Sequence, residues 1–263
     1  MNIAMRVTTT MIAAATLSAP ALAHMPYVEP GLFDIGDRKA VTIEASFTED
    51  VFRPDIAMKD APFEITGPDG KVTKLGAPTL LSDRAVIEAP VAGDGVYRLS
   101  SGQRLGRMGK MFRAGAEWKM VGEEGAAPAG AEVAAVQSTT LADAYVLRGK
   151  PTTPGALAMR GTALEIHPLT DPTALGAATP AQFEVLNDGK PLAGASVALF
   201  REAGLYDGKK EVGTVKTDAS GRFSVTPPDA GRYLLLVRHR AQAPAGAPAQ
   251  FYSYTVTLAF EAG

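Results

Sequence analysis

The 263-residue sequence has 26 Lys and Arg, 28 Asp and Glu, three His and no Cys, and its formal net charge is −2. The absence of Cys excludes disulfide scaffolds, Cys-ligated zinc sites and thiol enzymes. The small net charge gives no sign of a nucleic-acid-binding surface, which is usually strongly basic. With 46% hydrophobic residues, general disorder is excluded as well.

A secretory signal peptide is predicted at the start of the chain, over residues 1–23. A short basic leader ends at Arg6, an apolar stretch of small residues follows, and Ala21-Leu22-Ala23 forms an A-x-A cleavage site. The apolar stretch is shorter than the roughly 20 residues that a membrane-spanning helix needs, and no later stretch is long enough. We therefore expect an exported, periplasmic protein that does not span the membrane.

Short β-rich segments, bounded by Gly, Pro, Asp and Asn, recur along the rest of the chain, whereas helical periodicity is hard to find. In the first half, five segments are predicted to be strands: 40–47, 63–66, 84–89, 95–100 and 108–113. Residues 50–59 are predicted to form a loop, because Pro54 disrupts a helix or a central strand. Residues 24–121 are thus assigned to an N-terminal β-rich domain.

Residues 122–160 are predicted to connect two domains, because their first part, 122–135 (GEEGAAPAGAEVAA), holds small residues and no bulky side chain to bury. Seven more strands are predicted after this segment, at 162–167, 182–186, 195–200, 211–216, 221–225, 231–239 and 251–260. This number and spacing of short strands, separated by turn signals, are typical of a β-sandwich. Residues 161–263 are therefore assigned to a C-terminal β-sandwich domain.

The predicted fold class is all-β, with two β-sandwich domains of prealbumin or immunoglobulin-like type after the signal peptide. A single elongated sandwich that pairs strands from both halves fits the pattern nearly as well. The segment Ala241–Gln250 (AQAPAGAPAQ) contains Pro, which lacks a backbone N–H for ladder hydrogen bonds. We expect this segment to project into solvent as an arm.

His24 has an unusual position, because cleavage after residue 23 makes it the first residue of the mature chain. Its α-amine and its imidazole Nδ1 can then bind the same metal ion, so that one residue supplies two nitrogen ligands with little ordering. Such nitrogen ligands suit Cu(II), Ni(II), Co(II) and Zn(II), and the affinity generally peaks at Cu(II). Both groups must be deprotonated, so metal binding is expected to weaken below about pH 6.

The two other histidines are candidates for a third ligand. His167 ends the predicted strand 162–167 and His239 ends the predicted strand 231–239, where each ring can reach a site at the edge of the sandwich. The three histidines are therefore predicted to be able to converge on one site, although a histidine at a strand end is more commonly solvated or hydrogen-bonded. Three carboxylates are further, unranked candidates for this site: Glu29, Asp34 and Glu165.

Other side chains allow alternative interpretations. A soft-metal patch is one interpretation of four methionines: Met25, Met108, Met111 and Met120. Methionines more commonly fill gaps in a core. Tyr252 and Tyr254 on the last predicted strand are candidates for an axial approach to a metal ion, and core packing is again the commoner role. No serine-hydrolase, phosphate-binding-loop, dinucleotide-binding or HExxH motif is present, so no enzymatic activity is predicted.

Four segments resemble the exported bacterial family called domain of unknown function 4198: HMPYVEP at 24–30, LEIHPLTDP at 164–172, DGKPLAGASV at 188–197 and TDASGRFSVTPPDAGRYLLLVRH at 217–239. Members of this family are described as periplasmic components of nickel or cobalt uptake. The resemblance implies a metal-binding role for His24, at the position of the family's mature N-terminal histidine, and places His167 at the family's His-Pro-Leu position. DGKPLAGA with TDASGRF also resembles prealbumin-type sandwich modules, which concerns the fold alone.

The leading hypothesis is a periplasmic protein, not an enzyme, that binds a divalent transition-metal ion and assists its uptake or delivery. The metal could be nickel, cobalt, copper, zinc or iron, and the expected partner is an inner-membrane transporter or an outer-membrane receptor. One alternative is a copper oxygenase built on a histidine brace, which needs the same His24 chelate and an open coordination position. The other alternative is a metal-free β-sandwich interaction module with incidental histidines.

Overall fold

The computed structural model describes residues 24–152 and 155–263. The signal peptide predicted for residues 1–23 lies outside the described residues. The first ten strands are β1 (Met25–Pro30), β2 (Ala40–Thr48), β3 (Ile56–Ala57), β4 (Glu64–Thr66), β5 (Val72–Lys74), β6 (Thr79–Leu80), β7 (Ala85–Pro90), β8 (Gly95–Ser100), β9 (Arg104–Ala114) and β10 (Glu117–Met120).

The second half of the chain is also built from strands. They are β11 (Val133–Arg148), β12 (Leu164–Pro168), β13 (Ala181–Asn187), β14 (Lys190–Pro191), β15 (Ser196–Arg201), β16 (Glu211–Lys216), β17 (Arg222–Val225), β18 (Gly231–Gln242) and β19 (Phe251–Ala262). A single 3-10 turn at Gly155–Leu157 and a one-turn helix α1 (Gly204–Asp207) are the helical elements of the described residues. The predicted all-β class is confirmed, and each of the twelve predicted strands overlaps an observed one.

The strands form three sheets. The first sheet has the order β1-β2-β7-β6, with β3 paired to β2. The central sheet has ten strands in the order β16-β15-β18-β19-β11-β8-β4-β5, with β9 also paired to β11 and β10 paired to β9. The third sheet holds β12, β13 and β14, with β17 also paired to β13. The central sheet therefore contains strands from both halves of the chain.

The two hydrophobic cores lie on opposite faces of the central sheet. On β18, Leu234 and Leu236 belong to the core beneath the first sheet. The residues that alternate with them, Tyr233, Leu235 and Val237, belong to the core beneath the third sheet. Because successive side chains of a strand point to opposite faces, the central sheet is buried on both sides. Two β-sandwiches thus share one sheet, here called the N-terminal and the C-terminal sandwich.

The segment 122–160, predicted to be a connecting segment, contains the longest strand of the structure. β11 runs parallel to β19 over Val136–Ala144 and antiparallel to β8 and β9, so it joins the two halves within one sheet. Residues 122–132 lie outside the strands and are mostly exposed, as their small residues predicted, whereas the prediction of a connecting segment was wrong for 133–148. Small side chains such as Ala142 and Ala144 are instead completely buried, where another layer packs closely on the strand.

Ala241 and Gln242 end β18, and residues 243–250 form a compact loop whose residues are mostly exposed, rather than an arm that projects away from the sheet. The Ala243 N–H donates to the Gln250 carbonyl at 2.9 Å, and the Gln250 N–H donates to the Ala135 carbonyl on β11 at 3.1 Å. Ala247 packs against the C-terminal core. The loop folds back because its few N–H groups find partners at its own base, so Pro does not prevent closure.

Candidate metal centre

His24 lies immediately before β1, at the start of the first sheet. The antiparallel register of β1 and β2 brings it beside Glu49, and the imidazole Nε2 lies 3.7 Å from the Glu49 carboxylate Oε1. The His24 side chain is 39% exposed. Thr257 Oγ1 on β19 donates a 2.7 Å hydrogen bond to the Pro26 carbonyl, which ties the start of β1 to the central sheet. His24 is therefore an accessible imidazole next to a well-anchored strand.

The orientation of the His24 ring determines which nitrogen is open to a metal ion. Nε2 faces Glu49, whereas Nδ1 has no hydrogen-bond partner among residues 24–152 and 155–263. Nδ1 is also the ring nitrogen that can share a metal ion with the α-amine of the same residue. A carboxylate at the other ring nitrogen commonly orients a metal-binding histidine and raises its basicity. Of the two ring nitrogens, Nδ1 is therefore the one that the predicted chelate with the α-amine would use.

Acidic side chains cluster around this end of β2. The Glu49 backbone N–H donates a 2.7 Å hydrogen bond to Asp55 Oδ2, so a second carboxylate lies close to the first. Asp50, the next residue, forms an ion pair with Lys210. The Glu49 carboxylate is 63% exposed, so water screens its charge and its attraction for a cation at His24 is weak.

His167 has both ring nitrogens engaged by the protein. Nδ1 lies 2.9 Å from Glu184 Oε1 on the neighbouring strand β13, and Nε2 lies 2.8 Å from the Leu157 carbonyl oxygen. Ile166, the preceding residue, points into the C-terminal core, so His167 lies on the outer face of the third sheet. A ring with two satisfied nitrogens supports the structural role that strand-end histidines commonly have.

His239 lies near the end of β18, opposite Tyr254 on β19. The residues that alternate with it on β18 belong to the C-terminal core, so its ring lies on that face of the central sheet. Burial lowers the pKa of His239, which favours the neutral ring. The next residue, Arg240, points to the opposite face and donates hydrogen bonds to the Trp118 carbonyl at 3.0 Å and to Glu124 at 2.7 Å.

The three histidines do not come together in this structure. The strand after His24 packs on one face of the central sheet, His239 lies on the other face, and His167 lies on the far side of the third sheet. The described parts of the chain contain no group of three or more His, Cys, Asp or Glu side chains that could hold a metal ion. The predicted convergence on one site is therefore not observed, because layers of sheet separate the rings.

The three candidate carboxylates also have other partners. Glu29 Oε1 accepts a 2.6 Å hydrogen bond from Arg232 Nη1 on β18. Asp34 Oδ1 accepts the Gly36 N–H at 2.9 Å in a local turn. Glu165 is almost fully buried and accepts two backbone N–H groups from the turn that precedes β12. None of these three carboxylates joins His24, and the carboxylate that does, Glu49, was missed because only the strand register reveals it.

The methionines do not form one cluster. Met108 pairs with Gln137 and Met111 with Ala134, and these two positions on β11 face opposite sides of the central sheet. Met120 pairs with Met111, so two of the methionines are neighbours on one face while Met108 is exposed on the other. The strand register therefore does not support the soft-metal interpretation.

The two tyrosines of the last strand are core residues. Tyr252 and Tyr254 are both buried in the C-terminal core, and their rings make an edge-to-face contact with centroids 5.8 Å apart. Burial raises the pKa of Tyr254 to about 12. The first sheet, which begins just after His24, packs on the other face of the central sheet. The two tyrosines therefore serve in core packing and do not approach a metal ion at His24.

Solved structures share the β-rich architecture at low similarity. The chain is 14% identical to the D0-D1 domain of intimin, covering 90% of this chain and 99% of that chain with a TM-score of 0.22. It is 11% identical to an Escherichia coli alpha-2-macroglobulin activated by porcine elastase (92% and 31% covered, TM-score 0.24). A DUF4785 family protein from Legionella pneumophila is 13% identical (80% and 50% covered, TM-score 0.27). The chain thus spans about a third and a half of the last two proteins, and these similarities carry no functional argument.

Three further observations concern the chain beyond the candidate site. In the described part of the chain, no helix has the length and apolar character needed to cross a membrane. No protein of curated function matches the sequence. A family model, described as a domain of unknown function (DUF4198), matches residues 21–241, which include His24, both sandwiches and most of the central sheet. The chain therefore belongs to the DUF4198 family.

Proposed function

We propose that this protein is exported, is cleaved before His24, and binds one divalent transition-metal ion through the α-amine and Nδ1 of His24. The observation that carries the proposal is the position of the His24 ring: Nε2 faces Glu49 at 3.7 Å, while Nδ1 has no hydrogen-bond partner among the described residues. In this proposal Glu49 orients the ring and is not itself a ligand. The role is metal uptake or delivery, without catalysis, in partnership with a membrane transporter or receptor.

The openness of the site supports delivery over permanent storage. His24 supplies two nitrogen ligands, and the other coordination positions are left to water or to a receiving protein. His24 is exposed, whereas metals that a protein retains are usually held in closed sites with four protein ligands. A metal ion held this way can be passed on by ligand exchange at the protein surface.

The choice of metal follows from the donor atoms. An amine and an imidazole nitrogen bind Cu(II) most tightly among the divalent first-row ions, with Ni(II) next in the general order. Which metal is carried then depends on supply in the compartment as well as on affinity. A nickel or cobalt cargo, which the resemblance noted from the sequence implies, is compatible with this donor set.

A histidine-brace oxygenase finds less support. A brace needs a third nitrogen ligand, and the two other histidines are separated from His24 by layers of sheet. His167 has both ring nitrogens hydrogen-bonded, and His239 faces the opposite core. The single observation that would favour an enzyme, a third nitrogen ligand next to His24, is lacking in the described residues.

The proposal is tested by metal titration of the exported protein, recovered from the periplasm of a bacterial host, with its N-terminus verified by mass spectrometry. Calorimetry with Cu(II), Ni(II), Co(II) and Zn(II) is expected to give one equivalent bound, most tightly for Cu(II). A variant with one extra alanine before His24 moves the α-amine away from the ring and is expected to abolish stoichiometric binding. Glu49→Gln is expected to weaken binding about tenfold, as loss of a carboxylate behind a ligand histidine does.

His239→Gln is the matched control, because it removes an imidazole from the other side of the central sheet. This variant is expected to bind the metal as the parent protein does. Equal binding by the parent and by the variant with the extra alanine would contradict the chelate. Weak binding by all variants would leave the β-sandwich interaction module as the better description of this protein.

A further inference from the structure

The hairpin formed by β9 and β10 extends the central sheet beyond both sandwiches. β9 pairs with the first part of β11 on one side and with β10 on the other, and no described strand pairs with the far edge of β10. Neither hydrophobic core includes any residue of 104–120. This part of the sheet is therefore not covered by the first sheet or by the third sheet.

One face of the extension carries large exposed apolar side chains. Leu105 and Met108 are each 50% exposed, and Val133 on the neighbouring strand is 47% exposed. The register pairs Leu105 with Thr139 and Met108 with Gln137, and these positions share one face of β11 with Val133. Large apolar side chains that are exposed together on one face mark a site of interaction with another surface.

Basic side chains accompany these apolar groups. Lys110 pairs with Ala135 and Lys119 pairs with Phe112, which places both ammonium groups on the same face as Leu105 and Met108. Arg107 lies exposed in the bulge between the two apolar residues. The hairpin sequence 104–120 carries five basic residues and one acidic residue, whereas the whole chain has a net charge of −2. The set Leu105, Arg107, Met108, Lys110, Lys119 and Val133 is here called the hairpin patch.

We propose that the hairpin patch docks the protein onto the surface of an anionic phospholipid bilayer. Apolar side chains that enter the interface, with Lys and Arg around them, are the combination that holds peripheral proteins on negatively charged lipid. The long stems of Lys110 and Lys119 let their charges reach headgroups while Leu105 and Met108 lie deeper. The charges of the patch are complementary to phospholipid phosphates.

The charge of the patch, rather than its shape, favours lipid. The sheet face beneath it is packed, since Phe112 and Gln137 are buried, and neither of the two grooves of about 370 and 400 Å³ beside β4, β5 and β8 is lined by a residue of the patch. The proposal does not depend on metal binding at His24, and it places the exported protein next to the membrane that a transporter would occupy.

The test is vesicle binding by the exported protein, without added metal, in a sedimentation assay. Vesicles of equal parts phosphatidylglycerol and phosphatidylcholine are expected to bind the protein at low salt, and vesicles of phosphatidylcholine alone are not. Because a basic residue near an anionic surface contributes about 1 kcal/mol, Lys110→Gln and Lys119→Gln are each expected to lower the partition coefficient about fivefold. Leu105→Ser combined with Met108→Ser is expected to lower it at least about tenfold.

Matched control variants lie elsewhere on the molecule. Leu80→Ser combined with Leu81→Ser removes two equally exposed leucines, and Lys71→Gln combined with Lys74→Gln removes two exposed lysines. These controls are expected to bind vesicles like the parent protein, and an unchanged thermal midpoint confirms that each variant is folded. Loss of binding confined to the patch variants and to high salt supports the proposal.

Three outcomes would overturn it. These are absence of binding to anionic vesicles, equal binding to both kinds of vesicle, and equal losses in control and patch variants. Binding of a polyglutamate peptide without binding of vesicles would instead assign the patch to an acidic protein partner, and would also overturn the proposal.

Discussion

Glu29 is a buried carboxylate at the junction of the first and central sheets. Its side chain is 11% exposed, it accepts a hydrogen bond from Arg232, and it faces Glu44 directly across the β1–β2 register. Burial raises the pKa of Glu29 to about 7, the Arg232 guanidinium acts in the opposite direction, and Glu202 and Glu44 raise it further. Glu29 thus exchanges its proton in the neutral pH range while it ties β1 to β18.

The sign of the effect on stability follows from the two pKa values. The folded chain holds the Glu29 proton up to about pH 7, whereas the unfolded chain releases it near the ordinary value of 4.5. Between these pH values the folded state binds more protons, so this group makes the free energy of unfolding fall as the pH rises. The full shift corresponds to a loss of up to about 3 kcal/mol across the window.

Glu29→Gln is expected to remove this contribution. Urea unfolding of the parent protein and of the variant at several pH values between 4.5 and 8 measures the difference of their slopes. Glu88→Gln, at an exposed position of β7, is the control and is expected to keep the parent slope. Identical slopes for the parent protein and Glu29→Gln would show that Glu29 does not titrate in this range.

The pair of Asp143 and Arg160 is the second residue-scale feature. Arg160 donates two hydrogen bonds to the buried Asp143 carboxylate, at 2.6 and 2.8 Å, and a third to Ser100 at 2.9 Å. Asp143→Asn leaves the guanidinium without its counter-charge, and breaking such a pair typically costs about 3 to 5 kcal/mol. Chemical unfolding measures this loss.

Glu124→Gln is the control, because it breaks the exposed ion pair with Arg240. For this variant the free energy of unfolding is expected to fall by at most about 1 kcal/mol. Similar losses in both variants would contradict the argument.

At the scale of elements, the tight turn between β16 and β17 depends on one residue, Gly221. The Asp218 carboxylate accepts the N–H groups of Ser220 and Arg222, at 2.8 and 2.9 Å. Gly221 has a φ of +73°, and a Cβ atom there would lie 2.7 Å from the Val185 carbonyl oxygen on β13. Both the left-handed backbone and the close approach therefore require glycine at this position.

Gly221→Ala is expected to lower the free energy of unfolding by about 1 to 3 kcal/mol, the usual range for a strained backbone position. The matched control is Gly213→Ala on β16, where a Cβ atom would meet no heavy atom within 4 Å. For this control a change within about 0.5 kcal/mol is expected, as for other surface substitutions. Urea unfolding of both variants checks the difference, and equal changes would contradict the steric argument.

At the scale of the whole molecule, the shared central sheet makes the two sandwiches depend on each other. β19 pairs with β11 over Val136–Ala144, and the core beneath the first sheet includes Phe200, Leu234 and Leu236 from the second half of the chain. Separation of the halves would expose these side chains and a long unpaired strand edge. The two sandwiches are therefore expected to unfold together.

The fragment 161–263 tests this dependence. Expressed alone, it is expected to lack a cooperative thermal transition and to aggregate, because the edge of β19 and one face of β18 become exposed. Circular dichroism and light scattering measure this, with the protein that contains both halves as the reference. A soluble fragment that melts cooperatively would show that the C-terminal sandwich is an independent domain.

The local patterns predicted the strands well where one face is buried and the other is exposed. β2 and β7 alternate in this way, and both were predicted almost to their ends. β11 was missed because it is buried on both faces, so that alternation is lost, and because its Ala and Thr residues are small. In the candidate site, the cleavage position singled out His24, whereas Glu49 could not be predicted because only the pairing of β1 with β2 brings it close.

The amino-acid sequence by itself determined the all-β class, the position of most strands and the side-chain alternation on each strand, and it predicts cleavage before His24. The tertiary structure decided that the two halves share a sheet, that His24, His167 and His239 lie in different layers, and that the β9–β10 hairpin lies outside both hydrophobic cores. The physical reason is that alternation depends on neighbouring residues, whereas strand pairing and layering depend on contacts between residues far apart in the chain. A local pattern therefore predicts which side chains share a face of a strand, and the fold determines which other residues that face contacts.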